Sequence, residues 1–231
     1  MGIMEKQRLT ALKRQVLKRF GLAVLIMPII LYLISGTLQY WQGWLYFAVL
    51  FFPLLLAMNY FLKTDPELLE RRMKFREQER EQRAIVFLGT TILVAGFVAI
   101  GYDLRQHRLN QVPPLVALVA NMGVFLGYSL VFWVLKENSY ASRTIEVKMG
   151  QKVVTTGPYS IIRHPMYLGT IVMYLLTPIA LGSWWAVPVF LLFIPLFIWR
   201  IANEEKVLLR DLPGYHEYCQ EKRHRLLPHI W

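Results

Sequence analysis

A chain of 231 residues with 55% hydrophobic side chains, 18% charged ones and a mean hydropathy of +0.37 carries more apolar sequence than a single water-soluble core can hide. The same composition excludes disorder and a collagen-like fibre, and a lone cysteine, Cys219, excludes an intrachain disulfide scaffold. The formal charge of +11 leaves nucleic acid and anionic lipid headgroups open as partners, and the placement of the charges must decide between them.

In chain order, uncharged apolar stretches at 21–40, 43–62, 84–102 and 112–135 each approach the ~20 residues that a membrane-spanning helix needs. Residues 1–19 hold six basic side chains and one acid. The apolar run behind them is too long for a signal-peptide core and leads directly into a second run, so it reads as an uncleaved first helix. Residues 64–83 open on Asp65-Pro66-Glu67, a helix start, and continue in Glu/Arg alternation; they read as a solvated charged helix with no catalytic part. Two shorter runs, 166–182 and 183–199, meet at Leu181-Gly182-Ser183 and form a helical hairpin slightly short for a full crossing. Trp41, Trp44, Trp184 and Trp185 at the turns suit an aromatic belt. The expected fold class is all-α, a polytopic integral membrane protein of about six helical spans.

With six spans, 24 of the 26 Lys and Arg fall on one side, and only Arg105 and Arg108 on the other. The positive-inside rule then puts both termini and the large polar segments in the cytoplasm. Charge spread over membrane-proximal loops leaves no basic domain to hold a duplex, so membrane lipids and not nucleic acid are the expected partners.

The segment from Asn138 onward carries the chemistry. Residues 144–147 and 153–155 read as short extended pieces around Met149-Gly150-Gln151. Then follows Gly157-Pro158-Tyr159, and shortly after it Arg163-His164-Pro165-Met166-Tyr167-Leu168-Gly169. Pro165 suits the first turn of a helix, which makes His164 its N-cap and brings Arg163, His164 and Tyr167 near a positive helix end that attracts a carboxylate or phosphate. Beyond the hairpin, Arg200 and Glu204 lie four apart on one helix face, with Glu205 next. An antiparallel hairpin returns both clusters to one rim. The resulting pocket would carry cations and hydrogen-bonding groups on one wall and two carboxylates on the other, which suits a zwitterionic or cationic small molecule. Each residue has an ordinary role too: a histidine caps, an arginine snorkels, paired glutamates are solvated. One ligand accounts for both clusters at once. Residues 206–231 read as a short amphipathic helix, a turn at Pro213-Gly214, a second helix and a basic tail that closes the pocket or lies on headgroups. Nothing at metal-ligand spacing accompanies Cys219, so no metal is expected.

These residues resemble the isoprenylcysteine carboxyl methyltransferase family of integral membrane enzymes. The resemblance rests on Val153-Val154-Thr155-Thr156-Gly157-Pro158-Tyr159, on Arg163 through Gly169, on Arg200 with Glu204-Glu205, on Gly214-Tyr215 and on the closing Arg-Leu-Leu-Pro-His-Ile-Trp. It covers about 138–231; the earlier spans are similar only in being apolar. It implies S-adenosylmethionine as methyl donor, bound at the cytoplasmic rim without a Rossmann domain, and the chain indeed lacks a Gly-x-Gly-x-x-Gly after a strand. It also implies that Gly157, Tyr159, His164, Tyr167, Leu168, Glu204 and Glu205 line the cofactor pocket. Residues 1–135 would then form the substrate side and 136–231 the methyltransferase core. The donor's carboxylate would meet His164 and the helix start, and one glutamate would hold its amino group or ribose. Arg163 or Arg200 would orient an anionic acceptor, and with Glu204 these are the candidate catalytic residues. The acceptor implied is lipidic or prenylated, with a carboxylate or an amine to methylate, in a bacterial inner membrane or endoplasmic reticulum. Replacing His164 by Ala or Glu204 by Gln is expected to weaken cofactor binding without unfolding, both residues being placed at a solvated rim.

Two other functions compete. Membrane sterol reductases, which use a nicotinamide cofactor, resemble this chain in a polar C-terminal pocket and a Pro-x-Ile-aromatic end. A transporter or scaffold would place polar groups near the midplane, where Gln39, Asn59 and Asn121 are the few exceptions in otherwise apolar runs.

Overall fold

The computed structural model describes residues 3–73, 80–107, 112–142, 144, 147, 149–228 and 230–231. Helix α1 (Ile3–Ser35) starts well before its apolar run, and ends where Gly36 turns left-handed at φ 71° and its N–H reaches the Tyr32 carbonyl at 3.0 Å. The first expected span therefore stops at Ser35. Tyr40, placed at that span's end by hydropathy, instead sits in the turn, fully buried, with its hydroxyl donating to the Leu181 carbonyl. Helix α2 (Trp41–Thr64) leads to the short α3 (Pro66–Arg72), whose start is fixed by the Asp65 carboxylate accepting from the Leu68 N–H at 2.9 Å, with Pro66 in the first turn.

Then come α4 (Arg80–His107), α5 (Pro114–Glu137), a 3₁₀ turn (Gly157–Ser160), α6 (Pro165–Ala180), α7 (Val187–Leu191), α8 (Phe193–Asp211) and α9 (Tyr215–Glu221). Among the described residues every regular element is helical, so the extended pieces expected near 153–155 are irregular chain, and 145–146 lie outside the described residues. Among the described residues, five segments are long and apolar enough to cross a membrane: Thr10–Ser35, Trp41–Thr64, Glu81–Gln106, Pro114–Glu137 and Val187–Asp211. The 16 residues of α6 rise only about 24 Å, short of the ~30 Å hydrocarbon layer. The hairpin thus has one short arm and one long one. The long arm breaks at Leu192 because Pro195 offers no N–H to the Leu191 carbonyl and its ring crowds that group.

Helices α5 and α6 approach at a pair of glycines. A Cβ on Gly127 would lie 2.7 Å from the Gly169 carbonyl oxygen, and one on Gly169 the same distance from that of Gly127. The glycine that ends the Arg163–Gly169 motif therefore serves helix packing, as small residues do where no hydrophobic drive separates helix from lipid. One apolar core joins both halves of the chain, with Leu31, Phe47 and Ile100 packed in the same cluster as Phe190 and Ile201. Polar groups pin the hairpin's turn to that core: Asn121 Nδ2 donates to the Ala180 carbonyl at 3.2 Å and Ser183 Oγ to Asp103 at 2.6 Å. The outward faces of the long helices expose Leu25, Leu33, Phe52, Phe87 and Leu118, as lipid-facing surfaces should.

Helix α3 departs from the solvated helix expected of it. Leu68, Leu69 and Met73 are buried in a second cluster with Leu12, Val16 and Phe61, so the segment is docked against α1 and α2. Residues 74–79 lie outside the described residues.

Candidate functional site

Where α5 ends and α6 begins, a cavity of about 410 Å³ opens beside α8, within the size range of small-molecule sites. It has two chemical ends. One is lined by Arg72, Asn138, Tyr159, Arg200 and Glu204; the other, between α4 and α8, by Ile85, Gly89, Leu93, Phe193, Leu196 and Phe197.

Tyr159 is delivered by the 3₁₀ turn. Gly157 opens that turn at φ 56°, and a side chain there would also meet Glu137 at 3.0 Å. Thr156 donates its hydroxyl to the same glutamate, so the turn is tied to the end of α5. The Tyr159 phenol accepts from Asn138 Nδ2 at 3.0 Å, and its carbonyl accepts from the Tyr218 hydroxyl at 2.7 Å. Burial pushes the Tyr159 phenol up to about 12, so it stays protonated. With Asn138 donating to it, the phenol keeps its own proton for an acceptor in the cavity.

The wall between α6 and α8 is a bridged triad. Arg200 Nε donates to the Tyr167 hydroxyl at 3.0 Å, and that hydroxyl donates to Glu204 Oε2. The one-turn spacing of Arg200 and Glu204 puts both on the face that α6 meets, and Tyr167, in the first turn of α6, spans them. Glu204 and Arg200 remain half-buried at the cavity surface.

Glu205, next along α8, points about 100° further round and has another fate. Its carboxylate takes Arg163 Nε at 2.8 Å, His164 Nε2 at 3.2 Å and Arg225 Nε at 2.7 Å. Arg163 also donates through Nη1 to the carbonyls of Lys222 at 2.8 Å and Arg223 at 3.3 Å, just beyond α9. The backbone N–H groups of Arg163 and His164 reach the His224 and Arg225 carbonyls at 3.0 and 2.9 Å, and the Arg225 guanidinium lies 5.2 Å from the Trp231 ring centre. The C-terminal segment is thereby clamped over the start of α6.

Of the residues expected at the site, Tyr159, Arg163, His164, Tyr167, Arg200 and Glu204 line the cavity, whereas Gly157, Leu168 and Glu205 do not. Gly157 holds the turn, Leu168 packs against the apolar core, and Glu205 holds the clamp. His164 does stand at the N-cap position of α6, without a side-chain capping hydrogen bond, but at 5% exposure it is a buried partner of Glu205 and not a solvated rim residue; the expectation that His164→Ala spares the fold is revised accordingly. Arg163, 9% exposed, has its guanidinium committed to Glu205 and to backbone carbonyls. Sequence reasoning missed Arg72, Lys152, Thr170 and Tyr174 as lining residues. For Arg72 a signal existed: Leu68, Leu69 and Met73 make α3 amphipathic, which docks it. Tyr215, quoted only within a motif, lines the cavity with a buried hydroxyl that has no oxygen or nitrogen partner among the described residues, and burial raises its phenol well above the ordinary value.

The donor set fits a small ligand with an ammonium or sulfonium, hydroxyls and an aromatic ring. Glu204 can accept from an ammonium or a ribose, Tyr159 and Tyr215 offer hydroxyls, and tyrosines supply flat faces.

Comparison with known proteins adds two findings. Residues 115–212 match the model of the phospholipid methyltransferase family, a membrane methyltransferase family related to the isoprenylcysteine one. A stretch of 91 residues, 38% of the chain, is 30% identical to the Delta(14)-sterol reductase TM7SF2 of Mus musculus. That stretch spans 22% of the reductase's length. The family match supports a membrane methyltransferase and covers α5 from residue 115, the Gly157 turn, α6, the triad and the Arg163, His164 and Glu205 side of the clamp, but not the C-terminal segment that the clamp holds.

Proposed function

We propose that this protein transfers a methyl group from S-adenosylmethionine to a lipidic acceptor, with residues 136–231 holding the donor and the earlier helices framing the acceptor. The observation that carries this reading is the Arg200–Tyr167–Glu204 triad, set in one cavity between a polar end and an apolar end. When bound, S-adenosylmethionine supplies an electrophilic methyl group on a sulfonium.

The chain's own residues then have three tasks. Glu204 holds an ammonium or ribose hydroxyl of the donor, with Tyr167 fixing which carboxylate oxygen is used. Arg200 orients an anionic headgroup, because its charge faces the cavity from the same helix turn. Tyr159 and Tyr215 donate hydroxyls to the donor's oxygens or ring nitrogens. Alignment and exclusion of water account for most of the rate in such a displacement, so a clamped, half-buried cavity suits it. A carboxylate acceptor needs no base; an amine must lose a proton, and Glu204 is the group placed to take it.

The acceptor's tail would enter sideways from the bilayer, into the limb between α4 and α8. Along α8 this limb runs from Glu204 back to Phe193, a rise of about 16 Å. The isoprenylcysteine-type substrate implied by the sequence motifs and a phospholipid both meet this description. Both termini on the cytoplasmic side, in a bacterial inner membrane or endoplasmic reticulum, follow from the charge bias. The test is to incubate the purified protein with methyl-labelled donor and a total lipid extract, and to identify labelled products. Label in an extractable lipid is the expected result; label in none of the fractions, with the donor bound, would remove the lipid acceptor.

A second reading rests on the stretch shared with the Delta(14)-sterol reductase: a reductase using NADPH, whose phosphates would find the same cationic lining. NADPH oxidation dependent on added sterol would favour it.

A further inference from the structure

The apolar limb of the cavity has an aromatic wall and a closed end. From the triad inward, rings follow one another along α6 and α8: Tyr167 to Phe197 at 5.6 Å between centres, Phe197 to Tyr174 at 6.0 Å, and Tyr174 to Phe193 at 4.3 Å. All four line the cavity. Among the described residues, the lining of this limb goes no deeper than Leu93 on α4 and Phe193 on α8. The next ring, Phe190 of α7, lies 6.0 Å from Phe193, outside the cavity and wholly buried.

Two glycines of α4 account for the limb being open at one level and shut at the next. Gly89 and Gly96 lie about two turns apart and share the face that α4 turns toward α7 and α8. A Cβ on Gly89 would meet Leu196 at 3.2 Å and otherwise nothing nearer than Phe193 at 3.9 Å, so the missing side chain leaves room for a ligand. A Cβ on Gly96 would strike the Phe190 ring, which also lies 6.4 Å from that of Phe97. The same notch thus occurs twice on α4: the first belongs to the cavity, and the second is filled by Phe190. For a tail that comes from lipid, an apolar limb brings little hydrophobic gain, so what the protein can impose is a limit. A tail longer than the limb must bend or displace a close-packed ring.

We propose that Phe190, seated in the Gly96 notch, is the floor of the apolar limb and sets the longest hydrocarbon tail that an acceptor can place there. The inference rests on the methyl-transfer reading for its occupant, a single tail whose headgroup stands at the triad, and deepens that reading by a specificity-determining residue. The tail enters at the flank beside Thr90, which lines the cavity and is exposed, and its end lies along the limb. The length accepted is then the rise of about 16 Å between Glu204 and Phe193.

The test uses the full chain in detergent as wild type, Phe190→Ala, which joins the second notch to the limb, and Leu93→Phe, which shortens the limb from above. The probes are four straight-chain carboxylates: octanoate, shorter than the limb; laurate, about its length; and palmitate and arachidate, both longer. Affinities are compared between variant and wild type for one probe at a time, which cancels that probe's partition into detergent. Phe190→Ala is expected to strengthen palmitate and arachidate by at least about tenfold while octanoate and laurate stay within about twofold. Leu93→Phe is expected to weaken laurate and the longer probes by about tenfold and to leave octanoate within about twofold. Removing a buried ring is costly, so if Phe190→Ala does not fold, Leu93→Phe carries the test alone. Ratios that are the same for every tail length, ratios of one in the folded variants, or a wild type that binds none of the four probes overturn the inference. S-adenosylhomocysteine titrated into the same samples reports on the donor site separately. A wild type that binds it but shows no length limit keeps methyl transfer and loses the floor; one that shows the length limit but binds no S-adenosylhomocysteine keeps the floor and loses methyl transfer.

Discussion

Glu204 and Glu205 are neighbours in sequence and belong to two different machines. Glu204 shares a phenol with Arg200 and faces a cavity; Glu205 is enclosed by Arg163, His164 and Arg225 and faces the C-terminal segment. One helix thus presents a wall with unused hydrogen-bonding capacity and, one residue on, a saturated clamp. A motif of two adjacent acids does not mean two acids with one job.

That contrast is open to direct attack. Replacing Glu205 with Gln should have the largest effect on the fold, since it leaves the buried Arg163 and His164, with the half-buried Arg225, around a neutral group; breaking a buried pair costs about 3–5 kcal/mol. The measurement is thermal unfolding, with limited proteolysis showing whether residues 222–231 come loose first. Replacing Glu204 with Gln should leave the melting temperature close to wild type and weaken S-adenosylhomocysteine by about 10- to 100-fold in calorimetry, the range expected for a charge-assisted hydrogen bond. Arg200→Leu should cut turnover on an anionic acceptor by about tenfold while donor affinity changes less than twofold, sharpening the division of labour inside the wall. The smallest effect belongs to Gly89→Leu. A Cβ there already meets Leu196 at 3.2 Å, so a larger side chain narrows the apolar limb; KM for a long-tailed acceptor should rise a few-fold with donor affinity unchanged.

Much of this was legible in the chain. Apolar runs of bilayer length located the long helices, because the need to satisfy the backbone in lipid leaves little choice. Pro165 marked the start of α6 and His164 its cap, and the one-turn spacing of Arg200 and Glu204 placed them together. Helix ends were less legible: α1 ends at Ser35 because Gly36 can turn left-handed, a local event that a hydropathy window smooths over. The fate of Glu205 could not be read at all, since its partner Arg225 comes from 20 residues downstream and only the folded tail brings it back. Arg72 was hidden for a related reason. Its charge sits in an alternating acid–base run, and the apolar residues that dock α3 are too few to stand out against four long hydrophobic spans.

If the Glu204 side of this pair of acids forms a donor site, ligand titration will reveal it. Purified wild-type protein and Glu204→Gln should be titrated in parallel with S-adenosylhomocysteine and with NADPH. The expected result is saturable binding of S-adenosylhomocysteine to the wild type, at least about tenfold weaker binding to the folded variant, and no saturable response to NADPH. Saturable NADPH binding with no response to S-adenosylhomocysteine, or a Glu204→Gln protein indistinguishable from wild type, would contradict it.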